Sequence, residues 1–163
     1  MATPPGTRAT AVIAAPPGAV LDAIADVERY PRWSSTISAV TVRSFEGDGW
    51  PDNVEFTLTG GPLKDTYTVD YDWDVADDGT GEVTFALVSS ALLSALDGVL
   101  VLESREAGAA TEITHDLALD VNVPMLGLLK RRVEKWLATS MVDQLRTYVE
   151  ARARARGEGS GTE

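Results

Sequence analysis

The residues from 65 to 75, DTYTVDYDWDV, place a ring or an aliphatic side chain at every second position. Tyr67, Val69, Tyr71 and Trp73 fall on one side of this pattern, and threonines and aspartates fall on the other. Because successive side chains of a strand point to opposite faces, the stretch predicts a strand with one apolar face and one acidic, solvated face. A packed core and the wall of a ligand cavity would both produce such an apolar face.

Turn-rich clusters separate this strand from other runs with the same period of two. The clusters carry the glycine, proline and aspartate of hairpin connections: EGDGWPD at 46–52, GGP at 60–62, DDGTG at 77–81 and EAGAAT at 106–111. The runs predict strands at 37–45, 53–59, 63–75, 82–90, 98–105 and 111–121, although the link at 89–97 lacks a turn cluster. With a first strand at 8–15, they predict a seven-stranded antiparallel sheet.

Two short helices are predicted between the first and second strands. Pro16 and Pro17 end the first strand, and apolar residues at helical spacing follow, which predicts a helix over 17–28. Tyr30 precedes a proline and is therefore biased away from helical geometry. We expect the chain to break there and to restart as a second short helix that carries Trp33.

A long helix is predicted from Pro124 onward. Apolar residues recur along it every three or four positions: Leu126, Leu129, Val133, Trp136, Leu137, Met141, Leu145 and Tyr148. Beyond Tyr148 this stripe gives way to ARARARGEGSGTE, which predicts a fraying end and a disordered tail at 157–163. The predicted division is a flexible N-terminus at 1–7, a single domain at 8–156 and this tail.

The formal net charge of −11 limits the partners that the chain can have. Phosphate binding needs a basic surface, so we expect no nucleic acid partner. The absence of cysteine excludes thiol catalysis, disulfides and cysteine-ligated metal sites. No stretch approaches the ~20 apolar residues of a membrane span, and the N-terminus lacks a secretory signal. These observations predict a cytoplasmic protein without stable membrane insertion.

Local residues add a family resemblance to this order of elements. The segment AAPPGAVLDAIADVERYPRW at 14–33 resembles the opening signature of the START-like (SRPBCC) superfamily, which includes birch-pollen-allergen-like proteins, in its polyketide cyclase/dehydrase and lipid-transport branch. The Asp-x-x-x-Tyr-Pro-x-Trp part of that signature is Asp26, Tyr30, Pro31 and Trp33 here.

Two later segments extend the resemblance to residues 8–150. Gly98, Leu100 and Leu102 are similar to a Gly-x-aromatic-x-Leu strand of the family, with Leu100 where an aromatic residue is commoner. The run 111–121, followed by Pro124, resembles the last strand of the family and the entry to its long helix.

The resemblance implies an α+β helix-grip fold. In this fold a curved seven-stranded antiparallel sheet wraps around a long C-terminal helix, with two short helices between strands 1 and 2 and a cavity between the sheet and the long helix. Many members bind sterols, lipids, hormones or other apolar molecules, and some shape polyketide chains into rings. The resemblance assigns Tyr30, Pro31 and Trp33 a mainly structural role, with contact to a ligand at the cavity mouth as the alternative.

The single histidine, His115, excludes any site that needs two imidazoles. In TEITHDLALDV it alternates with Ile113, Leu117 and Leu119, so it falls on the apolar face. There it could act as a general acid or base in a cavity, or form a hydrogen bond with a ligand oxygen. The alternative is a neutral core imidazole that is hydrogen-bonded to a neighbour.

Other groups give no clear sign of catalysis. Asp70, Asp72 and Asp74 share the outer face of one strand, but a linear row does not converge as an oxygen-ligand cage must. The glycines lie between strands, and the serines at 89, 90 and 94 lack the strand–Ser–helix elbow of a hydrolase. We therefore predict no metal site and no cofactor.

Three functions agree with these observations. The first is binding or transport of a small hydrophobic ligand, such as a lipid or polyketide, in a cavity between the sheet and the C-terminal helix. The second is a polyketide aromatase/cyclase-type enzyme that uses His115 and a tyrosine for proton transfer. The third is a non-catalytic interaction module with a collapsed cavity. The candidate ligand-binding residues are Trp33, Phe56, Tyr67, Tyr71, Trp73, Phe85, Leu100, His115, Leu117, Val133 and Trp136.

Overall fold

The computed structural model describes residues 6–60, 63–122, 124 and 127–160. The strands in this part of the chain are β1 Thr7–Ile13, β2 Ile37–Phe45, β3 Pro51–Gly60, β4 Leu63–Val75, β5 Gly81–Ser90, β6 Leu93–Arg105 and β7 Ala110–Val121. The α-helices are α1 Pro17–Ala25, α2 Tyr30–Trp33 and α3 Gly127–Ser160, and short 3-10 turns lie at Val27–Arg29 and Glu106–Gly108.

The strands form one antiparallel sheet in the order β1-β7-β6-β5-β4-β3-β2. Among the described strands, only β1 and β7 pair across a long stretch of sequence; every other pair is consecutive along the chain. The two short helices lie between β1 and β2, which form the opposite edges of the sheet. Helix α3 packs against β1 and β7 and also contacts α1. The prediction of an α+β helix-grip fold is thereby confirmed.

From Val69 to Asp74 the alternation of residues in β4 is reproduced by the burial of its side chains, whereas Asp65 and Thr68 of the predicted solvated face are buried. Val69 and Tyr71 are buried, whereas Asp70, Asp72 and Asp74 are exposed on the outer face. The same inner face continues across the neighbouring strands and meets the buried side of α3. The core therefore lies between one face of the sheet and one stripe of the long helix.

The break between the short helices lies at Asp26, whose φ of −82° and ψ of 62° are not helical. Tyr30 itself is helical, with φ of −51° and ψ of −40°, so the prediction of a break at Tyr30 was wrong. The Tyr30 ring is buried, and its Oη donates a hydrogen bond to the Ile24 carbonyl at 2.5 Å. This tertiary contact outweighs the local bias of a residue that precedes proline.

Strand β6 begins at Leu93, five residues before the predicted strand, and the link from β5 is correspondingly short. The Ser90 hydroxyl accepts hydrogen bonds from the amides of Leu92 and Leu93 at 3.1 and 2.8 Å and donates one to Asp65. A serine side chain therefore organises this turn, which explains why the sequence shows no glycine-rich or proline-rich cluster.

The buried stripe of α3 is rotated relative to the predicted one. Its centre is formed by small and branched residues, Ala138, Val142, Leu145 and Val149, all at most 3% exposed. Leu129 and Trp136 are 47% and 37% exposed, and Leu126 lies outside the described residues. Small side chains allow the helix axis to lie close to the sheet, which a stripe centred on Trp136 would prevent.

Glu134 belongs to this buried stripe, although it is not one of the apolar residues that form the predicted stripe. Its Oε2 accepts a hydrogen bond from the Leu119 amide at 2.9 Å, beside the β-bulge between Leu93 and Ala95 in the paired strand β6. The carboxylate thus satisfies a buried backbone donor, which compensates for its removal from water.

Helix α3 continues to Ser160 and does not fray at Tyr148. It includes residues 157–160 of the predicted tail, while residues 161–163 lie outside the described part of the chain. Of the predicted flexible N-terminus, residues 1–5 also lie outside it, and Thr7 begins β1. Within the described residues, we find no helix whose length and apolar character would suffice to span a bilayer.

Candidate ligand cavity

A cavity lies between the inner face of the sheet and helix α3. The space open to the centre of a water molecule is about 90 Å³, and the full envelope is larger because this measure leaves out a water-radius shell along the walls. The apolar lining residues are Ile37, Phe56, Leu58, Val69, Phe85, Leu93, Leu96, Leu100, Leu117, Leu119, Leu137 and Met141. The polar ones are Tyr30, Ser34, Thr36, Tyr67, Tyr71 and His115.

A continuous series of rings forms the sheet side of the cavity. Phe56 on β3 lies 5.7 Å from Tyr67 and 6.5 Å from Tyr71 between ring centroids. Tyr71 lies 5.7 Å from Phe85 on β5, and Phe85 lies 6.1 Å from His115 on β7. The alternating residues of four strands therefore present a wall of tilted rings, against which an apolar molecule can pack.

Gly98 on β6 creates the space that the Phe85 ring occupies. The two residues are paired across the β5–β6 ladder, and a Cβ atom at Gly98 would lie 2.0 Å from Phe85 Cζ. Real side chains do not approach so closely, so any larger residue at this position would displace the ring. The glycine of the Gly-x-aromatic-x-Leu resemblance thus has a physical function here, which is to leave room for the end of the Phe85 ring.

Three buried phenols supply most of the hydrogen-bonding capacity of the cavity. Burial raises the pKa of Tyr30, Tyr67 and Tyr71 above the ordinary value of a phenol. The Tyr71 hydroxyl lowers the pKa of Tyr30 by less than burial raises it. All three phenols are therefore neutral at physiological pH.

His115 is 3% exposed and borders the same cavity. Burial lowers the pKa of His115 to about 4, an effect that the backbone of Ala138 on α3 partly offsets. Neither Nδ1 nor Nε2 has a partner within hydrogen-bonding geometry among the described residues. The imidazole is therefore neutral near pH 7, with a donor and an acceptor that the protein does not use.

The structure brings together seven of the 11 predicted ligand-binding residues around the cavity: Phe56, Tyr67, Tyr71, Phe85, Leu100, His115 and Leu117. Their contact with a ligand stays a prediction. The other four lie elsewhere. Val133 is buried in the core, and the Trp136 side chain is partly exposed on the outer side of α3.

Trp73 and Trp33 make structural contacts outside the cavity lining. Trp73 stacks on Trp50 at 5.0 Å and on Tyr71 at 5.2 Å, and its Nε1 donates to the Pro51 carbonyl at 2.6 Å. Trp33 lies against Tyr30 at 4.9 Å. The apolar face of β4 thus changes function along its length, from the cavity wall at Tyr67 and Tyr71 to packing at Trp73.

Sequence reasoning missed other lining residues. Leu137 and Met141 are one helical turn apart on the predicted stripe, so their spacing could have placed them opposite the sheet. Ser34 and Thr36 lie between α2 and β2, where no periodic pattern exists. Tyr30 combines the predicted structural role with a position in the cavity wall.

A protein-family model described as "Polyketide cyclase / dehydrase and lipid transport" matches residues 13–146. The chain belongs to this family. No curated protein matches it significantly.

Solved structures show how widely the fold of this family member is shared. A START superfamily protein from Mycobacterium smegmatis has a TM-score of 0.79 and 16% identity, over 89% of this chain and 97% of its own. The protein TTHA0849 from Thermus thermophilus has a TM-score of 0.75 and 21% identity, over 91% and 99%. The Zhui aromatase/cyclase from Streptomyces sp. R1128 has a TM-score of 0.73 and 18% identity, over 93% and 96%. At these identities the likeness shows the fold alone.

Proposed function

We propose that this protein binds a small hydrophobic molecule in the cavity between the sheet and helix α3. The observation that carries the proposal is the cavity itself, which is walled by rings and aliphatic side chains and bordered by a few hydrogen-bonding groups. Ligand sites in proteins commonly have this composition, because apolar burial supplies affinity and sparse polar groups fix orientation. Membership of a family whose description includes lipid transport supports the same function.

The size of the cavity favours a ligand of modest dimensions. Small-molecule sites commonly enclose roughly 300–1,000 Å³, whereas the space open to water centres here is about 90 Å³. Leu137 and Met141 of α3 form the helix side, and the unbranched, adaptable Met141 side chain can move to enlarge the space. The open space that remains speaks against an interaction module with a fully collapsed cavity.

A cyclase-type enzyme is the second candidate, because His115 and the phenols border one cavity and Zhui is an aromatase/cyclase of the same fold. General bases work best when their pKa lies near the operating pH, and a pKa of about 4 makes His115 a weak base. Binding therefore fits the chemistry of the site better than proton abstraction. Loss of cyclisation in a His115→Gln variant that still binds ligand would favour the enzyme instead.

Native mass spectrometry of protein purified from its own host tests binding. We expect an adduct of small-molecule mass that is lost under denaturing conditions. Leu100 borders the cavity, and Leu102 lies two residues further on the same strand, equally buried but outside the lining. Leu100→Phe should therefore remove the adduct, whereas Leu102→Phe should retain it, since overpacking costs both variants a similar 1–3 kcal/mol, roughly, of stability.

An adduct that survives in Leu100→Phe as fully as in Leu102→Phe would place the ligand outside the cavity. If no adduct is found, titration of the purified protein with neutral aromatic probes decides the question, because purification can remove a ligand. Failure of every such probe to bind would contradict the proposed function.

A further inference from the structure

The cavity wall carries no formal charge. None of the residues that border the cavity in the described part of the chain is Asp, Glu, Lys or Arg. The two buried carboxylates nearby are already engaged, because Asp65 accepts from the Ser90 hydroxyl and Glu134 accepts from the Leu119 amide. A charged ligand group would have to leave water without a counter-charge, at a cost of several kcal/mol or more. The cavity thus disfavours carboxylates, phosphates and amines.

His115 is a buried polar group of this wall. Its side chain is almost completely buried, it borders the cavity, and both ring nitrogens are unpaired among the described residues. A buried, unsatisfied polar atom destabilises the protein by about 1–3 kcal/mol, so its persistence indicates that something else satisfies it. A water molecule or a ligand group in the cavity can do so.

A neutral imidazole has one nitrogen that carries a hydrogen and one that carries a lone pair. Neither nitrogen of His115 has a hydrogen-bond partner among the described residues. Whichever nitrogen carries the hydrogen, the other therefore has a lone pair that the protein leaves unused. A lone pair selects a donor, and a hydroxyl is the uncharged donor that suits an apolar cavity.

We infer that the cavity selects an uncharged, largely apolar molecule whose hydroxyl donates a hydrogen bond to His115. This inference rests on the proposed function and deepens it by naming the ligand class, which is a phenol, enol or alcohol. The ring series from Phe56 to Phe85 packs against the apolar body of the ligand, and His115 fixes the hydroxyl end.

Three probes with one skeleton test this inference by calorimetric titration at pH 7. 1-Naphthol carries the donor, 1-fluoronaphthalene has nearly the same size without it, and 1-naphthoate carries a negative charge. We expect 1-naphthol to bind about three- to tenfold more tightly than 1-fluoronaphthalene, the ratio that one net hydrogen bond gives. We expect 1-naphthoate to bind at least 100-fold more weakly than 1-naphthol.

Two variants identify the side chain that accepts the hydrogen bond from the hydroxyl of 1-naphthol. In His115→Phe the preference for 1-naphthol over 1-fluoronaphthalene should fall to about one, while 1-fluoronaphthalene still binds. In Tyr71→Phe the preference should persist; its loss there, with retention in His115→Phe, would assign the hydroxyl to Tyr71 and overturn the inference. The preference for a hydroxyl is measured in the wild-type protein, so that part of the test does not depend on how either variant folds.

The outcomes separate the two proposals. Equal binding of 1-naphthol and 1-fluoronaphthalene, or tighter binding of 1-naphthoate, would overturn the ligand class and leave the cavity function standing. Failure of all three probes to bind would count against the proposed function itself.

Discussion

The chemistry of His115 depends on where the fold places it. An imidazole in water is half protonated near pH 6.5, but burial lowers the pKa of His115 to about 4. The unfolded chain therefore binds a proton at a pH where the folded protein does not. Stability linked to this residue is complete above pH 6.5 and is lost as the pH falls towards 4, because protons favour the unfolded state over that interval.

The pH dependence of unfolding should reveal this residue. Between pH 7 and pH 5 we expect the wild-type free energy of unfolding to fall by about 2 kcal/mol more than that of His115→Gln, which lacks the imidazole but keeps every other titrating group. Chemical denaturation at the two pH values measures the difference. Parallel pH profiles for the two proteins would contradict a neutral, desolvated imidazole.

Asp116 also contributes to the pH dependence of stability, but it titrates over a lower pH range than His115. The Arg8 guanidinium holds the pKa of Asp116 below the ordinary value of 3.8, mainly through a hydrogen bond of 2.7 Å. Its contribution to stability is lost only as the pH falls below that value, so it does not affect a comparison between pH 7 and pH 5.

At the residue scale, the sequence predicted which face of β7 carries His115 but not what surrounds its imidazole. The alternation in β7 placed His115 on the apolar face, and its burial confirms that placement. Its unpaired nitrogens could not be predicted, since they depend on Phe85 of β5 and on the backbone of Ala138 in α3. Contacts between elements that are distant in sequence leave no trace in a local pattern.

At the scale of secondary-structure elements, strands β5 and β6 illustrate how one glycine controls the cavity wall. Gly98 and Phe85 are paired, and the ring lies where a side chain at Gly98 would begin. The Phe85 ring in turn touches Tyr71 and His115, so its position affects the cavity on both sides.

Gly98→Ala should therefore lower the free energy of unfolding by about 1–3 kcal/mol, because the methyl group forces the Phe85 ring into the cavity. Replacing the ring with a smaller side chain, in Gly98→Ala combined with Phe85→Leu, should recover part of the loss. Gly47→Ala is the matched control, since a Cβ atom there meets nothing within 4 Å. Equal stability of the Gly98→Ala and Gly47→Ala proteins in thermal unfolding would refute this packing.

Long elements with a clear period could be predicted, and irregular connections could not. The bounds of β4 and β2 match the predicted 63–75 and 37–45. The start of β6 and the helix break at Asp26 were missed because one depends on the Ser90 side chain and the other on the buried Tyr30 hydroxyl. Both are contacts of single side chains that outweigh local propensity.

At the scale of the whole molecule, the order of elements predicted the fold, whereas the size of the cavity could not be predicted. The apolar faces of the sheet and of α3 would look the same in sequence whether they met tightly or enclosed a space. Ala138 and Val142 of α3 are buried in the core, while Leu137 and Met141 of the same helix border the cavity. The rotation of α3 about its axis determines which of its residues face the cavity.

Nitrogen-15 NMR of the one imidazole in the chain tests the central claim most directly. At pH 7 we predict the spectrum of a neutral imidazole that stays neutral down to about pH 4–5. Saturation with 1-naphthol should shift the resonance of its lone-pair nitrogen towards that of a hydrogen-bonded acceptor. An imidazole that titrates near pH 6.5, with nitrogen resonances unchanged by saturating 1-naphthol, would contradict a ligand cavity built around His115.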